Sequence, residues 1–347
     1  MSFGAGPAGL LWRDGNEAVD LSGLGDVFAR PTLNELLASG PAAWRDAIAA
    51  ASAHDGPRTP ESATRLHLPF EVADYVDFYS SLEHAANLGR MFRPDQEALL
   101  PNWRWLPVAY HGRAGSVVVT GTDVVRPQGQ RKAPDEDAPT FGPSRRLDFE
   151  LELGFVVGVP TELGESVAVE AFADHVFGVV LVNDWSARDI QAWEYVPLGP
   201  NLGKSFQTSI SAWVTPLALL EDARVEAPLQ DPPPLPHLAG GQDWGLDVAL
   251  EVELNGDTLS RGNARTLYWT LPQQLAHATS NGAALRTGDL MASGTISGAD
   301  AGSEGSMIEL FRGERFLEDG DEIVLRGRAA NGVVLGDVRG RVLPART

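Results

Sequence analysis

Leucine or phenylalanine occupies positions 147, 149, 151 and 153, and an acidic residue occupies 148, 150 and 152. Alternation with period two marks a β-strand with one face in a core. A second stretch, Val176 to Val182, is apolar at nearly every position, as expected of a strand buried on both faces, and runs through Asn183 into Asp184. A chain with both features needs a large sheet-built core with carboxylates at its margin.

Those carboxylates are costly beside apolar strands unless something positive meets them. Alternate residues of a strand lie about 6–7 Å apart on one face, so Glu150 and Glu152 point the same way. From spacing alone two readings stand: a solvent-facing strand whose charges are screened by water, or a pair bridged by a cation. Asp184, at the end of a buried strand, and Asp77 in DYVDFYSSLEH add weight to the cation. Oxygen ligands alone suit Ca²⁺ or Mg²⁺ and disfavour zinc or copper.

The rest of the pattern is mainly β. Strands are expected over Ser116 to Val125, Asp247 to Leu254, Gly288 to Ser293, Met307 to Phe311 and Glu322 to Leu343, with turns at Asn255-Gly256 and Asn331-Gly332. Helices are expected from Ser80 to about Met91, over part of Val167 to Asp174, and from Leu271 to Asn281. Pro127 to Pro143 and Ala227 to Asp243 read as long loops. The first 68 residues look separate, with a glycine-rich start, an alanine-rich helical stretch from Leu33 to about Ser52, and a turn-rich exit. The expected division is a small N-terminal domain over 1–68 and a catalytic domain over 69–347.

Composition excludes several classes. A net charge of −20 argues against nucleic acid or an anionic membrane as partner, and means that local Arg and Lys must draw in any anionic substrate. The absence of cysteine removes disulfides, zinc–thiolate sites, iron–sulfur clusters and a thiol nucleophile. The N-terminus is a poor signal peptide and the apolar runs are too short to span a bilayer, so a cytoplasmic location is expected.

His84 stands seven residues after Asp77. Ser80-Ser81-Leu82-Glu83 fits a capping box with Ser80 at the N-cap, which sets His84 in the first turn of a helix. There the helix dipole disfavours the imidazolium, keeping a neutral ring able to act as a general base. A lone histidine is more often structural, and six others occur in the chain; His84 differs by its neighbours Asp77 and Tyr79.

The segments DFYSSLEHAANLGRMFRP, LPVAYHGRAGSVVVTGT, NDWSARDIQAWEYVPLGPNLGKSF and ASGTISG match, in order, the wording of the fumarylacetoacetase family. The chain resembles that family from about Asp74 to Pro344. The resemblance implies a rolled, mixed β-sheet C-terminal domain with a few helices and a small, here abbreviated, N-terminal domain. It implies that Asp77, Glu150, Glu152 and Asp184 bind one Ca²⁺ or Mg²⁺, with a second cation position at Lys204 and Thr208. It makes His84 the general base paired with Glu309, and Arg188, Gln191 and Lys204 the oxyanion-stabilising groups. Tyr79, Arg93, Gln191, Tyr195 and Thr295 are its substrate contacts, with Tyr110 a further neighbour. Asp148 matches no ligand position and reads as lying behind the ligands or solvated; Trp193 reads as core packing and Glu194 has no assigned role.

The activity implied is hydrolysis of 4-fumarylacetoacetate to fumarate and acetoacetate, the last step of tyrosine and phenylalanine breakdown, by a homodimer. Two rivals stand beside it. One is a related acylpyruvate or 2-oxo-acid hydrolase, or a hydratase, acting on another diketo acid. The other is a non-catalytic protein that binds Ca²⁺ for structural reasons.

Overall fold

Strands Leu151–Val157 and Val176–Asp184 pair antiparallel at the centre of the molecule, with Leu151 opposite Asn183 and Glu152 opposite Val182. Both are buried along their whole length in the computed structural model, which describes residues 1–133 and 135–346. Their two faces serve different cores. Leu153, Phe155, Val179 and Leu181 pack with Leu250, Val252, Leu325 and Val338. These last four belong to a five-stranded sheet of Asp257–Asn263, Val248–Leu254, Glu322–Ala329, Val334–Leu343 and Val124–Val125. Val156, Val180 and Val182 instead pack with Phe3, Leu10, Trp12 and Trp44. Coverage on both faces explains the unbroken apolar run of the second strand.

The central pair lies within a twelve-stranded mixed sheet. Leu151–Val157 is flanked on its other edge by Leu290–Ala292, which pairs in parallel with Tyr75–Phe78, setting Asp77 opposite Ala292. Asp77, Glu152 and Asp184 thus come from strands that lie close together in the sheet. The mainly β architecture with few helices agrees with expectation.

The first 68 residues extend this same sheet. Ser2–Gly6, Gly9–Asp14, Glu17–Asp20 and Arg58–Pro60 form a meander joined to Trp213–Pro216 through Phe3 opposite Val214. The alanine-rich stretch is two helices, Asn34–Ala38 and Gly40–Ala53.

Several expectations need correction. Met307 to Phe311 is not a strand: Met307–Leu310 is a short helix whose first two amides, Met307 and Ile308, donate to the Asp148 carboxylate. Pro127 to Pro143 is largely a hairpin, with Gln128–Arg131 pairing Thr140–Pro143 and Pro134 outside the described residues. Ser116 to Val125 is split by a turn at Gly121, so that Val117–Val119 joins the large sheet and Val124–Val125 the small one. The helix expected from Ser80 spans Leu82–Phe92, and its N-cap is Ser81, whose Oγ accepts from His84 N–H. Ser80 is instead drawn into main-chain bonds with Ser293 and Tyr268. No helix among the described residues is long and apolar enough to cross a membrane.

Candidate active site

Asp77, Glu150, Glu152 and Asp184 are all buried, and one carboxylate oxygen from each lies within 4.8 Å of the others. Glu150 sits in the break between Leu147–Asp148 and Leu151–Val157. The Gly294 amide donates to Glu152 Oε2 at 3.2 Å. Gly294 holds φ +78°, and a Cβ there would lie 2.1 Å from the Phe78 carbonyl, so the amide reaches Glu152 only because the residue is glycine.

Donors are unevenly shared around this quartet: Lys204, Arg188 and Thr208 serve Glu150 and Asp184, while among the described residues Asp77 has only the tyrosine hydroxyls of Tyr75 and Tyr110. The Tyr110 hydroxyl lies 3.0 Å from Asp77 Oδ2 and 2.5 Å from Asp184 Oδ2, with one hydrogen to serve both. Asp77 Oδ1 and Glu152 Oε1 are buried and have no hydrogen-bond partner among the described residues. Burial and the neighbouring Asp184 push the Asp77 carboxyl well above its ordinary range, and burial with Asp77 and Asp184 does the same to Glu152. Glu150 moves the other way. Burial alone would raise it, but Lys204, Arg188 and His84 hold it down to about 2. Unpartnered carboxyl oxygens that are costly to ionise without a nearby positive charge are what Ca²⁺ or Mg²⁺ would satisfy, so the residues fit such an ion.

Lys204 bridges Glu150 and Asp184, the latter at 2.7 Å. Burial alone would lower its ammonium, but Asp184 and Glu150 hold it above the ordinary lysine value. Lys204 and Thr208, the residues expected at a second cation position, both contact Asp184. Thr208 Oγ1 donates to Asp184 at 3.1 Å.

His84 is buried beside the quartet. Its Nδ1 lies 2.6 Å from Glu309 Oε2, its Nε2 lies 3.9 Å from Glu150 Oε1, and Tyr79 meets the ring edge-on. Glu309 also accepts from Ser306 at 2.6 Å and from Ser297 and Asn87 at 3.0 Å. Burial would raise this carboxyl, yet His84, Ser306 and Asn87 bring it to about 2. These supporting side chains, Asn87, Ser297 and Ser306, escaped the sequence reading, although the first two lie in matched segments and Ser306 stands three residues before Glu309.

Arg188 opens the helix Arg188–Glu194 and joins Asp148 through Nε and Glu150 through an Nη1, each at 2.8 Å. Its Nη2 is buried without a partner among the described residues, and Gln191 Oε1 lies 3.4 Å from Nη1. Asp148 is fully buried, which rules out the solvated reading. Glu194, left without a role from sequence, accepts from the amides of Asn201 and Gly203 at 2.9 and 2.7 Å and so pins the loop that delivers Lys204. Trp193 is not core packing. It is exposed on the outer face of its helix, with Nε1 3.3 Å from Gln130.

The expected substrate contacts are spread unevenly. Tyr79 and Tyr110 border the quartet and dyad. Arg93 donates to the Ala98 carbonyl while its Nε is buried without a partner, as is Thr295 Oγ1. Tyr195 is about half exposed just past the Arg188–Glu194 helix. A cavity of about 280 Å³ reaches Lys204 and Tyr110 from outside, lined also by Tyr75, His111 and Arg113.

Residues 74–343 match the family model described as the fumarylacetoacetate hydrolase C-terminal domain. The chain is 49% identical to the fumarylacetoacetase of Caenorhabditis elegans over 356 residues, covering 92% of this chain and 85% of that one. It is 44% identical to the fumarylacetoacetase of Homo sapiens with the same coverage. Solved structures share the fold at low identity. They include the fumarylacetoacetate hydrolase of Exiguobacterium antarcticum (TM-score 0.62, 18% identity, 99% of each chain covered). Another is the maleylpyruvate hydrolase of Sphingobium sp. SYK-6 (TM-score 0.61, 20% identity, 99% of this chain and 100% of that one). With sequence and fold in agreement over most of its length, this chain belongs to the fumarylacetoacetate hydrolase family and is a hydrolase.

Proposed function

We propose that this enzyme hydrolyses the carbon–carbon bond of 4-fumarylacetoacetate to give fumarate and acetoacetate, with His84 as the general base. The observation that carries the reading is the buried His84–Glu309 pair, whose free Nε2 faces the carboxylate quartet and Arg188. An ionised Glu309 accepting from Nδ1–H fixes the tautomer that leaves a lone pair on Nε2. His84 then removes a proton from water as the oxygen attacks the ketone carbon. Glu309 stabilises the imidazolium that results. Arg188, through its unpartnered Nη2, with Gln191 and Lys204, meets the negative charge on the former carbonyl oxygen. One such donor is commonly worth about 3–4 kcal/mol.

As the tetrahedral species collapses, the bond to the acetoacetate carbon breaks and its electron pair leaves as an enolate. The His84 proton returns to that carbon, the hydroxyl stays on the fumaryl carbon, and the atoms of one water are accounted for. Asp77, Glu150, Glu152 and Asp184 would hold the cation. Bound there, a divalent ion supplies Lewis-acid neutralisation of dicarbonyl oxygens. Tyr79, Arg93, Tyr110, Tyr195 and Thr295 are proposed to orient the substrate. A cation held for structure alone accounts for the quartet but not for a buried base and its orienting carboxylate.

The test is an absorbance assay of purified protein with fumarylacetoacetate, with and without a chelator. Turnover that chelation abolishes and Ca²⁺ or Mg²⁺ restores is expected. Metal-loaded protein that leaves the substrate untouched would sink the reading.

A further inference from the structure

We infer that Asp148 is a positioning residue that fixes the direction of the Arg188 guanidinium, its own carboxylate being held in place by the first two amides of the Glu309 helix; the inference rests on the reaction proposed above. Asp148 is fully buried and stands outside the cation-binding quartet. Its carboxylate has three donors from two elements. Arg188 Nε donates to Oδ2 at 2.8 Å, Met307 N–H to Oδ1 at 2.8 Å, and Ile308 N–H to Oδ2 at 3.1 Å.

Each donor sits beside a group used in the reaction. Met307 and Ile308 open a helix of four residues that carries Glu309. On the other side, Leu147–Asp148 pairs with Ser186–Ala187, and the Arg188 amide donates to the Arg146 carbonyl. The main chain of Arg188 is therefore fixed by the same short ladder that presents Asp148.

The guanidinium has Nε on Asp148 and Nη1 on Glu150, each at 2.8 Å, which leaves the buried Nη2 as its free donor. A planar fork held at two corners fixes the direction of the third. Without Asp148 the guanidinium would have Glu150 alone and would be free to swing about that contact. Buried ion pairs add little net stability over apolar residues of the same shape, so fold stability is a poor explanation for keeping a fully buried aspartate here.

The test is a double-mutant cycle on the metal-loaded enzyme. Asp148→Asn keeps the shape but removes the charge, and should lower kcat by about 10²-fold, the scale for one oxyanion donor, with KM nearly unchanged. Arg188→Gln should cost at least as much. If Asp148 acts through Arg188, the double variant matches Arg188→Gln to within about twofold, the limit set by ordinary non-additivity. Losses that multiply instead would show that Asp148 works independently of Arg188 and overturn the inference.

Arg188→Lys covers the case in which Asp148→Asn does not fold. It keeps the charge but cannot span Asp148 and Glu150 together, so it should fall nearly as far as Arg188→Gln. Wild-type kcat in Arg188→Lys would overturn the positioning role. A wild-type enzyme that does not turn over fumarylacetoacetate at all marks failure of the proposed reaction, a distinct outcome.

Discussion

Replacing Glu309 by Gln isolates what its charge contributes, because the amide keeps the carboxylate's shape and can still accept from Ser306. The charged form is strongly favoured in place. Burial raises the carboxyl, but His84, Ser306 and Asn87 outweigh it and bring it from the ordinary 4.5 to about 2. At ~1.4 kcal/mol for each tenfold, that difference is worth about 3 kcal/mol. His84 is the largest of the favourable partners, and its demand for a negative neighbour is greatest when the ring carries the proton from water. Most of the loss should therefore fall on the transition state, lowering kcat by about 10²-fold with KM within a small factor.

The same depression has a thermodynamic signature. A carboxyl held below its unfolded value stabilises the fold above that value and loses the contribution as pH falls through the folded one. The stability advantage of wild type over Glu309→Gln should be full above about pH 5 and shrink toward pH 2. Steady-state kinetics on fumarylacetoacetate and denaturant melts across that window check both parts. A kcat equal to wild type, with a melt difference that does not change with pH, would refute the role given to this carboxylate.

Other expectations follow from the same geometry. His84→Ala should cut turnover by several orders of magnitude while leaving metal content nearly unchanged, with a lower melting temperature because the buried Glu309 loses its main partner; loss of the cation, with activity retained per loaded site, would make the ring a ligand instead. Glu152→Ala and Asp184→Ala should each abolish tight Ca²⁺ or Mg²⁺ binding, and stoichiometric metal in either purified variant would remove that residue from the quartet. A homodimer is expected, because Trp193, Val196, Leu198 and Leu202 are exposed apolar side chains within one short stretch of chain. Light scattering that returns the mass of one 37.1 kDa chain would count against it.

The parts of the fold legible in sequence were those whose pattern arises locally. Leu147, Phe149, Leu151 and Leu153 lie in one core, as alternation requires. Asn255 and Gly256 both take positive φ at their turn. What stayed hidden depended on partners far along the chain. The helix Met307–Leu310 looks like a strand by composition and is helical where its amides meet a carboxylate 159 residues away. The Gln128–Arg131 hairpin arm is too polar and glycine-bearing to show a strand pattern, and closes through Gly129 opposite Gly142. The capping-box rule picks Ser80 over Ser81, because Glu83 stands three residues after the former. Main-chain bonds to Ser293 and Tyr268 occupy the first and leave the second to cap.

At the site, spacing revealed the groups but not how charge is divided among them. Glu150 and Glu152 are two positions apart and both buried, and nothing in LDFELEL tells them apart. Yet Glu150 is held ionised by Lys204, Arg188 and His84, whereas Glu152 has one amide on Oε2 and no partner on Oε1. The difference comes from strand geometry. Glu150 falls in the break after Asp148, where Arg188 and Lys204 can reach it, while Glu152 lies inside the continuous ladder opposite Val182. Glu150 thus ties the oxyanion groups and the base to the quartet, and Glu152 and Asp77 keep the free oxygens that call for a cation. One strand interruption separates the two duties: Leu147–Asp148 pairs with Ser186–Ala187, a partner that the motif by itself does not reveal.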